Sequence, residues 1–298
     1  MAVATIVGGA GRMGSWFADF LSANGYQIII CDRKERLARR SANRKGFKFM
    51  KNEIAAAQLS RLVVLATPTH ATATILERIG SKISRGALLV EISSVKEPLK
   101  KTITGLARRG FQILSIHPMF GPGTAKNLAG KTIIVAHEPR GNQAARDFLT
   151  LFKKKRASII RSDLETHDRI VAATLALPHF MNFAFIKTLE DTGLAASQAR
   201  RIAGTTFRLQ LLLAEALYHE RLENEVSILA DNKYSTQLFE RFVKQGNAMR
   251  KTIRDRTRSD LIRSLEEGAA YVRKDALFGM AYDRFTAAVE ASNSPLST

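Results

Sequence analysis

The residues in this chain best suited to move a proton lie in "SIHPMFGPGT", over 115–124. His117 ends an apolar run, Pro118 biases it away from helix, and Gly121, Pro122 and Gly123 shape the adjoining loop. The imidazole is therefore expected at the lip of a sheet. Standing alone, a His-Pro pair is more simply a histidine that closes a strand against backbone or water. Its chemistry depends on its neighbours. The preceding strand-like run ends in "EISSVKEP", which puts Ser93, Ser94 and Lys96 nearby. Ser94 is expected to orient the imidazole or a substrate hydroxyl. Lys96, at the start of a helix, either holds a phosphate or carboxylate of the substrate or is a plain helix-surface lysine.

A second constellation opens the chain. "IVGGAGRMGSW" supplies Gly9-x-Gly11-x-x-Gly14 directly after a strand pattern and directly before a helix pattern. In that context the glycines allow a tight turn, close approach of a pyrophosphate to backbone amides, and close helix–strand packing. Gly9, Gly11, Arg12, Met13 and Gly14 are the expected contacts to a dinucleotide. The next strand ends in Cys31-Asp32, where an acid would take the ribose hydroxyls of NAD. Arg33, Lys34 and Arg36 come immediately after and leave NADP open, since they would suit a 2′-phosphate. Pro68 and Thr69, after "RLVVLAT", are expected near the cofactor, and no metal is expected. A site that passes a hydride from an alcohol to NAD also needs a group to receive the hydroxyl proton, and His117 fits that need.

The elements that must position these groups alternate. "VATIVGG", "QIIICD", "RLVVLATP", "ALLVEIS", "FQILSIHP", "KTIIVAH" and "RASIIRS" read as strands, separated by helical patterns at 12–24, 33–44, 70–79, 96–109 and 142–154. This predicts an α/β, Rossmann-type, doubly wound parallel sheet over 1–162. Beyond 162 the pattern turns all-α, with helices expected at 163–190, 195–218, 222–245 and about 257–291. The predicted domains are thus 1–162 for NAD(P) and 163–298 for substrate and dimerisation, docked to form a cleft. Apolar stretches such as "ALPHFMNFAFIKTL" suggest that the helical part buries a face against a second copy.

Composition narrows the alternatives. With 298 residues and 45% hydrophobic content the chain can fill two cores. Its apolar runs look too short for a membrane span, which needs about 20 residues, and "MAVATIVGG" shows no signal-peptide pattern, so a soluble, cytoplasmic protein is expected. One cysteine, Cys31, excludes an internal disulfide. The 46 Lys and Arg against 27 Asp and Glu, a net +19, favour anionic partners. The basic clusters lack interleaved aromatics, which disfavours nucleic acid and leaves a small anionic substrate.

On the quoted motifs, with "HDRIVAATLALPHF" at 167–180 and "NKYSTQLFERF" at 232–242, the chain resembles the prephenate dehydrogenases of the TyrA family, in the branch that carries "HPMFGP". The resemblance spans nearly the whole length. It implies oxidative decarboxylation of prephenate to 4-hydroxyphenylpyruvate in tyrosine biosynthesis, with His117 taking a hydrogen bond from the ring hydroxyl, Ser94 beside it, and His179 facing substrate from the helical domain. Pro178 is expected to kink its helix. His167 and Asp168 read as structural first. No chorismate mutase segment or regulatory domain is expected within this length.

One departure stands out. Relatives of this branch carry an arginine for a substrate carboxylate at the position that is Ala216 here, and the pattern downstream is replaced by "RLENEVS". Arg208, two turns earlier, is the expected substitute, although it would serve equally as a solvated surface residue. The alternatives to a prephenate enzyme are an arogenate or another β-hydroxyacid-type dehydrogenase, or a catalytically retired dinucleotide-binding protein. The apolar face Leu209, Leu212, Leu213 and Ala216 supports retirement. The intact set Gly9, Gly11, Gly14, Asp32, Ser94, His117 and His179 argues against it.

Overall fold

In a computed structural model, which describes residues 2–125, 127–219 and 221–293, the β-branched runs form one eight-stranded sheet. The strands are β1 Val3–Val7, β2 Gln27–Cys31, β3 Lys48–Phe49, β4 Leu62–Leu65, β5 Leu88–Glu91, β6 Gln112–Pro118, β7 Thr132–His137 and β8 Ser158–Arg161. Their order is β3-β2-β1-β4-β5-β6-β7-β8, so the sheet is wound outward in both directions from the β1/β4 boundary. That boundary is where open α/β sheets bind ligands, beyond the carboxyl ends of the strands.

The central strands have apolar side chains on both faces because both faces are covered. Ala4, Ile6, Ile30, Val64, Val90, Leu114 and Ile116 enter one core with α1 Arg12–Ser22, α2 Glu35–Lys45 and α6 Gln143–Lys154. Val7, Ile29, Val63, Leu65, Leu89 and Ile113 enter the other with α3 Glu53–Gln58, α4 Thr69–Gly80 and α5 Lys100–Arg108. Trp16, Phe17, Phe20, Phe148 and Phe152 stack edge-on and face-on in the first core.

Two features depart from the uninterrupted parallel sheet expected from the sequence. β7 runs antiparallel to β6, while every other pair is parallel. The described residues of the segment between them carry one 3-10 turn, Pro122–Thr124, and no crossover helix of the kind a parallel connection requires. Ala136 is the extra residue of a bulge, since Ser115 faces His137 while Ile116 faces Val135. The short edge strand β3 and the helix α3 were also not anticipated.

Past β8 the described residues are helical: α7 Leu164–Val171, α8 Leu177–Asp191, α9 Ala196–Ile202, α10 Thr205–Tyr218, α11 Leu222–Ala230, α12 Ser235–Arg254, α13 Arg258–Val272 and α14 Ala281–Asn293. Three expected long helices are each broken in two. Ala203 turns to extended backbone ahead of Gly204, and the other breaks fall between α11 and α12 and between α13 and α14. Between α7 and α8 the chain makes a wider, π-type turn at Ala172–Ala176, just before Pro178. A wide turn accommodates the amide that proline lacks.

The chain forms two compact units, 1–172 with 226–233, and 173–225 with 234–298. Helix 164–191, taken through its π turn, has 28 residues and an 18-residue window of mean hydropathy 1.4. By length and composition alone it could cross a membrane, which corrects the expectation that no run reaches that length. Its opening turns hold His167 and Asp168, both fully buried in the first unit.

Candidate active site

Close packing forms the glycine loop. Gly8 and Gly9 donate their amides to Cys31 O at 2.8 and 3.2 Å, folding the loop over the end of β2. A β-carbon at Gly9 would lie 2.7 Å from Ile30 Cγ2, and one at Gly14 would overlap the Gly8 carbonyl. Helix α1 then begins at Gly11 with no side-chain cap and no acid in its first turn. Its positive end stays available for an anion. Asp32 directly follows β2, with Oδ2 accepting from Ala10 N at 3.0 Å and Oδ1 from Lys34 N at 2.9 Å. Pro68 starts α4 beyond β4, and Met13 packs on the core beneath the loop. Arg12 points toward the "HPMFGPGT" loop, 3.9 Å from where a Gly123 β-carbon would be, and Arg33 is exposed. The cradle that only glycine leaves open, the uncapped helix start and the acid at the end of β2 fit NAD.

The chemical cluster lies at the carboxyl ends of β5 and β6, where Glu91 and Ser115 are paired in register. His117 is 4% exposed. Its Nδ1 lies 3.0 Å from His167 Nε2, and His167 Nδ1 lies 2.8 Å from Asp168 Oδ1. Asp168 also accepts Lys96 N, at 2.8 Å on Oδ1 and 3.1 Å on Oδ2, and Glu97 N at 2.7 Å on Oδ2. Asn232 donates to Asp168 O at 2.7 Å, and Lys233 pairs with Glu97 at 3.3 Å. The segment 226–233 therefore braces the start of α7 within the first unit.

Behind this chain lies a buried charge pair. Lys96 Nζ donates to Glu91 Oε1 and to Ile116 O, each at 2.7 Å, with both side chains fully buried. Glu91 also accepts from Ser93 N at 2.8 Å and from the Ser115 hydroxyl. Burial, the neighbouring His167 and the Lys96 ammonium hold His117 well below the ordinary histidine range. Burial and then Lys96 lower His167 to about 2. Both rings are thus held in the neutral form, and His117 can accept a hydrogen bond. Burial pushes Asp168 up, against the amides of Lys96 and Glu97 and the charges of Lys96 and Lys233.

The first unit thus gathers Gly9, Gly11, Gly14, Asp32 and Pro68 at the ends of β1, β2 and β4, and Ser94, Lys96 and His117 at β5 and β6. Lys96 is neither a surface lysine nor free to hold a substrate: its ammonium is already bonded inside the protein. Ser94 is half-buried, and no hydrogen bond joins it to His117, whose inner nitrogen goes to His167 instead. In the second unit His179 Nδ1 lies 2.6 Å from Glu225 Oε2, with the two side chains 14% and 6% exposed. Arg208 and Ala216 are both exposed on α10.

Sequence reasoning missed Glu91 and Ser115. The signal was present: an acid in the all-apolar run "LLVE" and a hydroxyl in "QILSI" are polar groups in strands buried on both faces, and such groups require partners.

Residues 17–161 match the family model "Prephenate dehydrogenase, nucleotide-binding domain", and 163–267 match "Prephenate dehydrogenase, dimerization domain". The glycine loop precedes the matched residues. The chain is 25% identical over 279 residues to a "Probable arogenate/prephenate dehydrogenase" of Methanocaldococcus jannaschii, covering 93% of this chain and 63% of that protein. It is 27% identical over 239 residues to the T-protein of Haemophilus influenzae, covering 79% and 58%. The chain thus spans about three fifths of the length of these relatives. In fold it is similar to an A. aeolicus prephenate dehydrogenase solved with hydroxyphenyl propionate and NAD+, with a TM-score of 0.74 and 20% identity over 92% of this chain and 98% of that one.

Proposed function

Because the chain belongs to the prephenate dehydrogenase family, we propose that it oxidatively decarboxylates prephenate to 4-hydroxyphenylpyruvate in tyrosine biosynthesis. The observation that carries this reading is His117 itself. Its buried imidazole is bonded through Nδ1 to His167, with no partner on Nε2 among the described residues, at the same sheet edge as the dinucleotide loop.

NAD, when bound, supplies the hydride acceptor. The chain's own part is to bind and polarise. His117 Nε2 accepts a hydrogen bond from the ring hydroxyl and polarises it as hydride leaves the carbon that bears it. The carboxylate departs as CO₂, its bonding pair enters the ring, and the product keeps its hydroxyl as a phenol. Ser94, free of other hydrogen bonds among the described residues, is proposed to share that hydroxyl. NAD is favoured over NADP because two backbone amides hold the Asp32 carboxylate in place, where it would repel a 2′-phosphate. The helical unit acts as the dimer face, with exposed Leu212, Leu213 and Tyr218 meeting a second copy, and the protein works in the cytosol. The domains are read as 1–162 for cofactor and 163–298 for substrate and dimerisation.

A second reading, with arogenate as substrate, is favoured by one feature. The substrate-facing histidine proposed here, His179, is bonded to the buried carboxylate Glu225, while position 216 offers no guanidinium. A carboxylate suits the ammonium of arogenate, and Arg208 remains the proposed partner for an anionic substrate.

The test is reduced-nicotinamide formation with prephenate and with arogenate, each with NAD and NADP. Turnover with either acid supports the reaction, and the better kcat/KM names the substrate. No turnover with any pair, while NAD still binds, overturns it in favour of a retired enzyme. His117→Asn should cut turnover about 10²–10⁴-fold with NAD affinity nearly unchanged.

A further inference from the structure

Three groups form a hydrogen-bonded line that starts at the proposed base: His117 through Nδ1, His167 with both ring nitrogens engaged, and the Asp168 carboxylate. The direction of each bond can be worked out from the buried end. Asp168 receives backbone amides on both oxygens, so its carboxylate acts as an acceptor toward His167 as well. His167 Nδ1 must then carry the proton it donates. A neutral imidazole has only one, so His167 Nε2 holds a lone pair and accepts from His117 Nδ1–H. His117 is left with its own lone pair on Nε2.

We propose that His167 and Asp168 are positioning residues of this site, which fix His117 as the Nδ1–H tautomer so that its Nε2 is the hydrogen-bond acceptor. The proposal rests on the reading of His117 as the base. His167 is an anchor rather than a second proton carrier, because an imidazolium there would be buried beside the Lys96 ammonium. The other charged or titratable groups around the line are Glu91 at the end of β5, Lys96 and Glu97 after it, His137 on β7, and Lys233. Glu91 is bonded to Lys96, and Glu97 to Lys233, so neither competes with Asp168 for His167.

Asp168→Asn tests this with little change of shape. The amide oxygen, in the Oδ2 position, still accepts from Glu97 N and at longer range from Lys96 N, while the NH₂ replaces the Oδ1 that Lys96 N approaches at 2.8 Å and faces His167 Nδ1. His167 must then carry its proton on Nε2 and donate to His117, which moves the His117 proton to Nε2 and removes the acceptor. The measurement is a two-bond ¹H–¹⁵N correlation spectrum of the histidine side chains near neutral pH. His117 and His167 are assigned by loss of signal in His117→Asn and His167→Asn. In the unsubstituted protein both rings should show a protonated Nδ1 and a bare Nε2, and in Asp168→Asn both should reverse. In the same variant kcat should fall about 10²–10⁴-fold, with KM and the NAD dissociation constant changed by less than about threefold. A purely structural role would lower the folded fraction and leave the tautomer as it was.

A protonated Nε2 on His117 in the unsubstituted protein overturns the proposal, and needs no variant to fold. So does an Asp168→Asn protein that keeps its tautomers and its turnover. If neither prephenate nor arogenate is turned over, the proposed reaction fails, while the spectrum still decides the tautomer.

Discussion

Lys96 and Glu91 form an ion pair in the floor of the candidate site, 2.7 Å from Nζ to Oε1, with both side chains fully buried. Desolvation offsets much of the Coulombic gain of a buried pair, so its net contribution to stability is small, whereas removing one partner strands the other charge in the protein interior.

Lys96→Met should therefore lower unfolding stability by about 3–5 kcal/mol, because Glu91 would be left as an unpaired buried charge. A urea titration measures this. Adding Glu91→Gln should recover part of the loss, since the amide oxygen still accepts from Ser93 N or Ser115. A loss under about 1 kcal/mol would mean that water reaches Glu91.

The lowered histidines predict a pH dependence with a defined sign. A histidine depressed in the folded state takes up its proton more readily when unfolded, so its contribution to stability is complete above the unfolded value of 6.5 and is lost as pH falls below it, down to about 2 for His167. The slope for His167 approaches about 1.4 kcal/mol per pH unit, or roughly 2 kcal/mol lost between pH 6.5 and pH 5. His117 acts in the same direction. Raised Asp168 works the opposite way at lower pH, so the readout is the difference from His167→Gln. Denaturant midpoints of that variant should depend less on pH across this range, and equal slopes would reject the assignment.

Gly14→Ala should raise the NAD dissociation constant at least about 100-fold, equivalent to about 2.7 kcal/mol, because the new methyl collides with the Gly8 carbonyl and pushes the loop off the start of α1. Calorimetric titration with NAD, alongside a circular dichroism spectrum showing an unchanged fold, checks this. Unaltered affinity would mean that the pyrophosphate lies elsewhere.

Much of the first unit was legible because its signals are local. Alternating strand and helix patterns gave the sheet, and Gly9-x-Gly11-x-x-Gly14 with Asp32 gave the loop. What was not legible depends on pairings distant in sequence. The antiparallel β7 goes with a connection whose described residues form no crossover helix, a negative signal within a run that still reads as β. The role of Lys96 is set by Glu91 and by the carbonyl of Ile116, and spacing alone suggested a surface or substrate-binding lysine. His167 looked structural because its partner, His117, lies fifty residues earlier.

Strand β6 keeps strict alternation through the site, with Ile113 in one core and Leu114 and Ile116 in the other, while the bulge at Ala136 is absorbed by its neighbour β7. The face that the imidazole occupies is therefore a matter of parity. A deletion or insertion of one residue between Gln112 and His117 would turn the ring into the aromatic core around Trp16 and Phe152 and bring an aliphatic chain to His167. A change of two would restore the facing. Within this strand the chemistry tolerates drift in length only in even steps.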